Sequence, residues 1–230
     1  MAETVMSLTG SRGTLPRPSK SLFVTFEGIE RSGKGTQVKL LHEYLKEKGY
    51  DVMATREPGA TAIGHVIRDT LLNPDFKDMN IKAEALLFAA SRAQHVADVI
   101  KPALEQGKIV LCDRYTDSSL AYQSFGRGLP FDEIRRISEW ASEGLQPDLT
   151  ILLHVTAHVA LERLASRERD RIEQENLDFH EKVSNGYLEL AKMFSQRIKV
   201  IDGTKDKGAI HEEIIQLIEE LLRLRSGQAV

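Results

Sequence analysis

The run Gly28-Ile29-Glu30-Arg31-Ser32-Gly33-Lys34, a Gly-x4-Gly-Lys spacing, limits what this chain can fold into more than any other stretch. A β-branched and aromatic segment, Leu22 to Phe26, precedes it. An amphipathic helical pattern follows: Val38, Leu41 and Leu45 share a stripe with Leu40 and Tyr44 beside it, while Lys39, Glu43, Lys46 and Glu47 lie largely on the other side. A strand, this loop and a helix in that order form a phosphate-binding P-loop. Its glycines let backbone N–H groups close around a phosphate. The helix start adds unpaired donors and a positive dipole end, and Lys34 adds a full charge. A plain glycine-rich turn with an exposed lysine would not need the flanking strand and helix.

Composition narrows the rest. A chain of 230 residues suits one large domain, or a domain with an insertion. The net charge of −3 supplies no global basic field, which argues against long nucleic acid as a partner. A single cysteine, Cys112, excludes an internal disulfide framework and a cysteine-based metal cluster; inside its apolar run it reads as a small buried filler. No apolar run approaches the roughly 18 residues of a membrane span. Residues 1–20 are rich in Ser, Thr, Gly and Pro and lack a continuous apolar core, so they read as a mobile tail rather than a signal peptide, with the working domain over 21–230. The cytoplasm is the expected compartment.

Beyond the P-loop helix, Gly49 caps and Asp51 to Thr55 forms a short strand. Arg56-Glu57-Pro58-Gly59 then turns at the carboxyl end of that strand, where ligands of parallel sheets collect; Arg56 either meets a phosphate or pairs with Glu57 on a surface turn. A helix is expected from Thr61 to Leu72, and Ile81 to Leu104 is a long apolar-periodic stretch. There Phe88 and Arg92 share a face, with His95 one turn further; an aromatic plane beside a guanidinium suits a flat heterocycle, and core packing is the other role for Phe88. Ile109 to Cys112 is a buried strand ending in Asp113-Arg114-Tyr115. Asp113 there either anchors a magnesium shell or pairs with Arg114. Thr116 to Ser119 supplies N-cap candidates for a helix carrying Tyr122 and Gln123.

A helix from Asp132 to Ser142, a strand from Asp148 to Val155 and a helix capped by Thr156 and running to about Ala165 come next. In the charged stretch Arg163 to Glu181, Arg163, Arg167 and Arg171 recur at i, i+4 and i+8 and would stack like charges on a helical face. Intrahelical pairs Arg169–Glu173 and Arg171–Glu175 would make this a solvated helix. A mobile lid over about 163–178, closing on polyphosphate, accounts better for the arginine excess. Helix over Tyr187 to Phe194, a last strand Ile198 to Asp202 and an amphipathic helix Lys207 to Arg225 complete the chain. Alternating strands and helices predict a parallel sheet with helices on both faces, a three-layer α/β architecture.

Taken together, the motifs resemble thymidylate kinase from Ser21 to about Arg225. They are Phe26-Glu27-Gly28 with the P-loop, Arg56-Glu57-Pro58-Gly59, Leu86 to Arg92, Asp113-Arg114-Tyr115 with Ser118 to Gln123, and Arg169-Asp170-Arg171-Ile172-Glu173. The resemblance implies transfer of the ATP γ-phosphoryl group to dTMP with Mg2+, a five-stranded parallel sheet in the order 2-3-1-4-5, and a homodimer. It also implies residue roles. Gly28, Ile29, Glu30, Arg31, Ser32, Gly33, Lys34, Gly35, Thr36 and Gln37 would hold ATP. Arg56 and Arg114 would grip the dTMP phosphate, Phe88 would stack on thymine and Arg92 would donate to its exocyclic oxygen. Ser119 and Gln123 would read the base edge, Ser118 beside them would belong to the substrate site, and Tyr122 would disfavour a ribose. Lys34, Glu30, Arg31, Arg114, Arg169 and Arg171 would carry catalysis, with Asp113 and Glu30 serving the metal, partly through water.

Three positions depart from the common pattern. Gly35 replaces the usual Ser or Thr hydroxyl on magnesium; Arg31 and the lid arginines occur together; and His154 ends the fourth strand where many relatives carry Asp. A rival enzyme reading is another nucleotide kinase. A GTPase-like switch would need an Asn-Lys-x-Asp tetrapeptide, which is missing from this chain.

Overall fold

Leu22–Glu27 (β1) is buried along its whole length, which only a central strand covered on both faces can be. The period-2 alternation of a strand divides it. Leu22, Val24 and Phe26 pack with Val38, Leu41 and Leu45 of Lys34–Glu47 (α1) and with Ile210, Ile214 and Ile218 of Lys207–Arg225 (α9). Phe23 faces the other way, onto Val96, Ile100 and Tyr115. Each such side chain, fully buried, contributes roughly 1.5–3 kcal/mol. The computed structural model describes residues 21–164 and 169–225; the tail expected over residues 1–20 lies outside them.

Val52–Arg56 (β2), Ile109–Asp113 (β3), Leu149–His154 (β4) and Ile198–Asp202 (β5) complete a parallel sheet ordered β2-β3-β1-β4-β5, the order the resemblance implied. Register aligns Phe26 with Asp113 and Asp113 with Arg56, so β1, β2 and β3 end level and deliver Gly28, Glu57 and Arg114 to one sheet edge. Ala62–Leu72 (α2) starts as expected, with the Thr61 side chain accepting from Gly64 N–H. Ile81–His95 (α3) passes through a π-helical turn, Val96–Ile100, into Lys101–Glu105 (α4). Pro102 accounts for the widened turn, since it offers no N–H and crowds the carbonyl four residues back.

Thr116–Ser119 (α5) is a single turn, and Tyr122 and Gln123 lie in a second π-helical stretch, Leu120–Gly126. The expected N-cap among residues 116–119 is absent, because Tyr115 occupies the cap position without a side-chain bond. Phe131–Ala141 (α6) and Ala157–Leu164 (α7) match the expected helices within a residue or two. Leu177–Met193 (α8) begins earlier than the sequence suggested, capped by Asn176, whose side chain accepts from Phe179 N–H.

The charged stretch is not a continuous helix. The Asp170 carboxylate accepts from the N–H groups of Ile172 and Glu173 and turns the chain, so the i, i+4, i+8 arginine stack does not form; Arg167 lies outside the described residues. Among the described residues neither Arg169–Glu173 nor Arg171–Glu175 stands as an intrahelical pair, since residues 170–174 form a turn. Glu173 receives Asp170 N–H, and Glu175 pairs with Arg127 at 2.5 Å.

Candidate active site

The P-loop closes as its sequence demands. Gly28 has φ +135°, and a Cβ there would lie 2.4 Å from the Leu153 carbonyl oxygen, so glycine alone fits where β1 meets β4. Gly33, at φ +102°, caps α1 and leaves the first N–H groups of that helix facing outward. The Lys34 ammonium is buried and donates to the carbonyls of Gly28 at 2.9 Å and Ile29 at 2.8 Å. Burial, then Arg114, pulls its pKa down to about 8, against the pull of Asp113, Glu30 and Glu27.

Next to it stands Arg114, held on several sides. One guanidinium nitrogen donates to Gly28 O, Ser118 Oγ and Tyr187 OH at 3.1–3.2 Å; the other donates to Glu30 Oε1 at 2.9 Å and Tyr122 OH at 3.1 Å. Tyr122 OH in turn donates to Glu30, and the Tyr122 ring lies under the guanidinium at 4.9 Å. Burial raises the Glu30 pKa, yet Arg114, Lys34 and Tyr122 hold it below the usual carboxylate value. Behind them, Glu27 Oε2 accepts from Ser118 Oγ at 2.6 Å and Tyr187 OH at 2.9 Å. Burial and the nearby Asp117 push Glu27 up to about 7, against Ser118, Arg114 and Tyr187.

A cavity of about 480 Å³ opens here. Gly33 to Thr36 and Arg31 line one end, Phe88, Ser119 and Gln123 the other, and Arg56, Arg68 and Arg114 the space between. Arg56 sits exposed at the end of β2, and among the described residues it forms no ion pair with Glu57, the alternative open in the sequence. Phe88 is half-buried on the wall, a ring with an open face rather than a core side chain. Arg92 is placed differently from expectation. It is 2% exposed, behind the wall, with Nε on Glu57, Nη1 on Ser119 Oγ and Nη2 on Tyr115 O. Gln123 donates to Glu84 at 3.1 Å.

Asp113 fits a magnesium site. Its Oδ1 is buried without a hydrogen-bond partner, and its Oδ2 lies 3.7 Å from where a Cβ on Gly35 would sit. The missing hydroxyl at position 35 therefore leaves room between the helix start and this carboxylate. No group of three or more His, Cys, Asp or Glu side chains placed to hold a metal ion is present among the described residues, so phosphate oxygens and water would complete the shell. Both Glu30 oxygens are taken by Tyr122, and Oε1 by Arg114 as well, which leaves Asp113 the better candidate.

The two arginines expected in a lid part company. Arg171 is turned away from the P-loop: Nε donates to Leu71 O at 2.7 Å, and Nη2 approaches Glu84 Oε2 at 2.7 Å as an ion pair rather than an aligned hydrogen bond. Arg169 is exposed and lies off the cavity wall. Arg31 does line the wall, at a left-handed φ of +59°, with its carbonyl held by Arg163. His154 at the end of β4 is half-buried, near Ser184 Oγ at 3.3 Å, and is an ordinary packed histidine. Buried Cys112, whose thiol desolvation raises, is a filler as expected.

Two contributors escaped the sequence reading. Arg68 reaches the cavity from α2 and donates to Pro58 O at 3.0 Å; burial and then Arg56 lower its pKa. Its only signal was a cation on the helix that follows Arg56-Glu57-Pro58-Gly59. Glu84, 1% exposed, carries Arg127, Arg171 and Gln123 on one carboxylate. An acidic residue inside an apolar-periodic stretch was its signal. Burial raises its pKa, but Arg127 and Arg171 bring it below the ordinary carboxylate value.

A family model described as thymidylate kinase matches residues 26–214. The thymidylate kinase of Symbiobacterium thermophilum is 45% identical over 205 residues, covering 89% of this chain and 96% of the relative. That of an Exiguobacterium species is 47% identical over 207 residues, covering 90% and 97%. The crystal structure of thymidylate kinase from Ehrlichia chaffeensis superposes with a TM-score of 0.71 at 34% identity, over 86% of this chain and 98% of that one. With P-loop, sheet order and cavity in agreement, the chain belongs to the thymidylate kinase family.

Proposed function

We propose that the cavity seats ATP on the P-loop and dTMP between Arg56, Arg114 and Phe88, so that their phosphate ends meet beside Lys34. The reaction of the family is transfer of the ATP γ-phosphoryl group to dTMP, giving dTDP and ADP for dTTP synthesis. The observation that carries the assignment is that phosphate-binding backbone and a half-exposed aromatic ring share a single cavity, with three arginines between them.

A phosphate oxygen of dTMP attacks the γ-phosphorus as the bond to the β–γ bridging oxygen breaks, and ADP departs. The acceptor oxygen is already anionic, so positioning and charge neutralisation do most of the work. Lys34 exchanges the carbonyls of Gly28 and Ile29 for phosphate oxygens. Arg114, braced by Glu30, Ser118 and Tyr187, presents a fixed fork to the acceptor phosphate, and Arg56 closes on it from β2. Tyr122, fixed by Glu30, faces the sugar. Arg31 on the wall is the cation we assign to the γ-phosphoryl oxygens, a role worth about 10³–10⁵ in rate where arginine fulfils it in related enzymes. Arg169 is the lid cation, and Arg171 is its anchor. Mg2+, held through Asp113, neutralises charge on the ATP phosphates when bound.

We also infer a homodimer in the cytoplasm. Exposed Ile63 and Val66 on α2, Leu86 on α3 and Trp140 on α6 offer apolar surface on neighbouring helices. No described helix is long and apolar enough to cross a membrane. Turnover across dTMP, dUMP, dCMP, UMP and AMP tests the substrate assignment: dTMP is expected to give the highest kcat/KM, and a preference for AMP would overturn it.

A further inference from the structure

Glu27 ends β1 at 0% exposure, and the cations around it are already engaged. The charged and titratable groups that face it are Cys112 on β3, Arg114 and Asp117 after β3, Lys34 on α1, Tyr187 on α8 and Arg197 before β5. Arg114 pairs with Glu30 at 2.9 Å. Arg197 holds Asp117 through two nitrogens, at 2.6 and 2.7 Å. The Lys34 ammonium donates to the Gly28 and Ile29 carbonyls, and β4 lays Leu152 alongside β1. Among the described residues Glu27 therefore forms no ion pair, and a charged carboxylate buried without a cation is strongly disfavoured.

Its hydrogen bonds have a place for a proton. Oε1 accepts from Tyr115 N–H at 2.8 Å. Oε2, Ser118 Oγ and Tyr187 OH form a triangle with edges of 2.6, 2.8 and 2.9 Å. With both hydroxyls donating to Oε2, the Ser118–Tyr187 edge has no proton; with a proton on the carboxyl, the ring closes with one donor per edge. The pKa of Glu27, raised to about 7 by burial and then Asp117, agrees with the closed ring. Each hydroxyl oxygen also accepts from Arg114 Nη1 at 3.2 Å, which uses its remaining lone pair. Nη1 has two protons, so one goes to Gly28 O at 3.1 Å and the two hydroxyls share the other. Arg114 itself holds a left-handed φ of +73°, which a non-glycine residue keeps only where its neighbours fix it.

We propose that Glu27 is a positioning residue that works as a neutral acid: protonated, it holds Ser118 and Tyr187 behind Arg114 while leaving the guanidinium charge to the acceptor phosphate. Ionised, it is a second carboxylate behind Arg114, which draws the fork back and repels a phosphate dianion. This part of the dTMP affinity is full while Glu27 is neutral and is lost as pH rises through about 7. Ionisation of the phosphate itself acts in the opposite direction. Neither Glu27 nor Tyr187 lines the cavity. The inference rests on the dTMP phosphate meeting Arg114, as proposed above.

The test is the dissociation constant of dTMP, measured by titration calorimetry on the full chain from about pH 6 to about pH 8. Glu27→Gln is neutral at every pH, keeps an acceptor for Tyr115 N–H and keeps a donor for the ring. Dividing the parent Kd by the Glu27→Gln Kd at each pH cancels the ionisation of the phosphate. That ratio is expected to rise about three- to tenfold across the range, centred near pH 7. Tyr187→Phe keeps the packing of the ring and removes one donor to the ionised carboxylate. It is expected to weaken dTMP binding about three- to tenfold near pH 6 and to move the titration of Glu27 upward, so its excess Kd over the parent shrinks toward pH 8. This second variant decides the matter should Glu27→Gln fail to fold. A parent-to-Glu27→Gln ratio that stays flat, or a Tyr187→Phe excess equal at every pH, would overturn the proposal. Arg114→Lys separates the two readings and is expected to raise Kd at least about tenfold. An unchanged Kd there would place the phosphate elsewhere and remove both readings, whereas a raised Kd with a flat ratio would remove the neutral-acid role alone.

Discussion

The Arg171 guanidinium meets the Glu84 carboxylate at 2.7 Å, with both side chains at most 5% exposed, tying the segment after α7 to the core of α3. Arg127 joins the same carboxylate at 3.0 Å, so one anion neutralises two buried cations. Removing the shared partner takes from Arg171 its Glu84 ion pair and leaves Arg127 with Glu175 alone. Glu84→Gln is therefore expected to cost about 3 kcal/mol or more in urea unfolding, and Arg171→Met clearly less, since Arg127 still satisfies Glu84. A loss below about 1 kcal/mol for Glu84→Gln would mean that the triad does not hold the segment around Arg171.

Glu27 makes stability depend on pH in an unusual direction. Folding raises its pKa from 4.5 to about 7, mainly through burial and then Asp117. Between these values the folded protein holds a proton that the unfolded chain has released. This contribution is thus full below pH 4.5 and is lost as pH rises through about 7. Glu27→Gln has no such proton. The stability of the variant relative to the parent is expected to improve from pH 5 to 7, by at most about 1.4 kcal/mol per pH unit. Parallel stability curves for the two proteins would contradict the shifted carboxyl.

Gly28→Ala places a Cβ 2.4 Å from Leu153 O at φ +135°. The clash and the backbone strain both fall where β1 feeds the phosphate loop. Weaker ATP binding by at least about tenfold, or failure to fold, is expected; near-parental ATP binding in calorimetry would show that the loop has another shape.

Asp113→Asn separates metal binding from folding. Its Oδ1 has no protein partner to lose, so the melting temperature is expected to stay close to the parent. The Mg2+ concentration for half-maximal turnover is expected to rise at least about tenfold. An unchanged Mg2+ requirement would remove Asp113 from the metal shell.

Local signals carried most of the fold. The Gly28–Lys34 spacing, the Thr61 cap and the alternation within Leu22 to Phe26 act over a few residues, and each stands where the sequence put it. What escaped depends on contacts between distant segments. Arg171 sits at helical spacing from Arg163, yet the Asp170 turn and buried Glu84 override that spacing. Arg92 shares a face with Phe88 on α3, but Glu57, brought by β2, draws it behind the wall. Arg68 reaches the cavity only because α2 folds back beside Pro58. No one-dimensional pattern carries these pairings, since donor and acceptor in each come from different elements.

The central claim is that two phosphate-bearing nucleotides face each other across one cavity between Lys34 and Arg56. Calorimetry with adenosine and thymidine joined through a pentaphosphate measures both ends at once. Binding at least about a hundredfold tighter than dTMP alone is expected, as for a ligand that spans both reacting groups, with losses of tenfold or more in both Lys34→Ala and Arg56→Ala. Affinity no better than that of ATP, or indifference to Arg56→Ala, would contradict it.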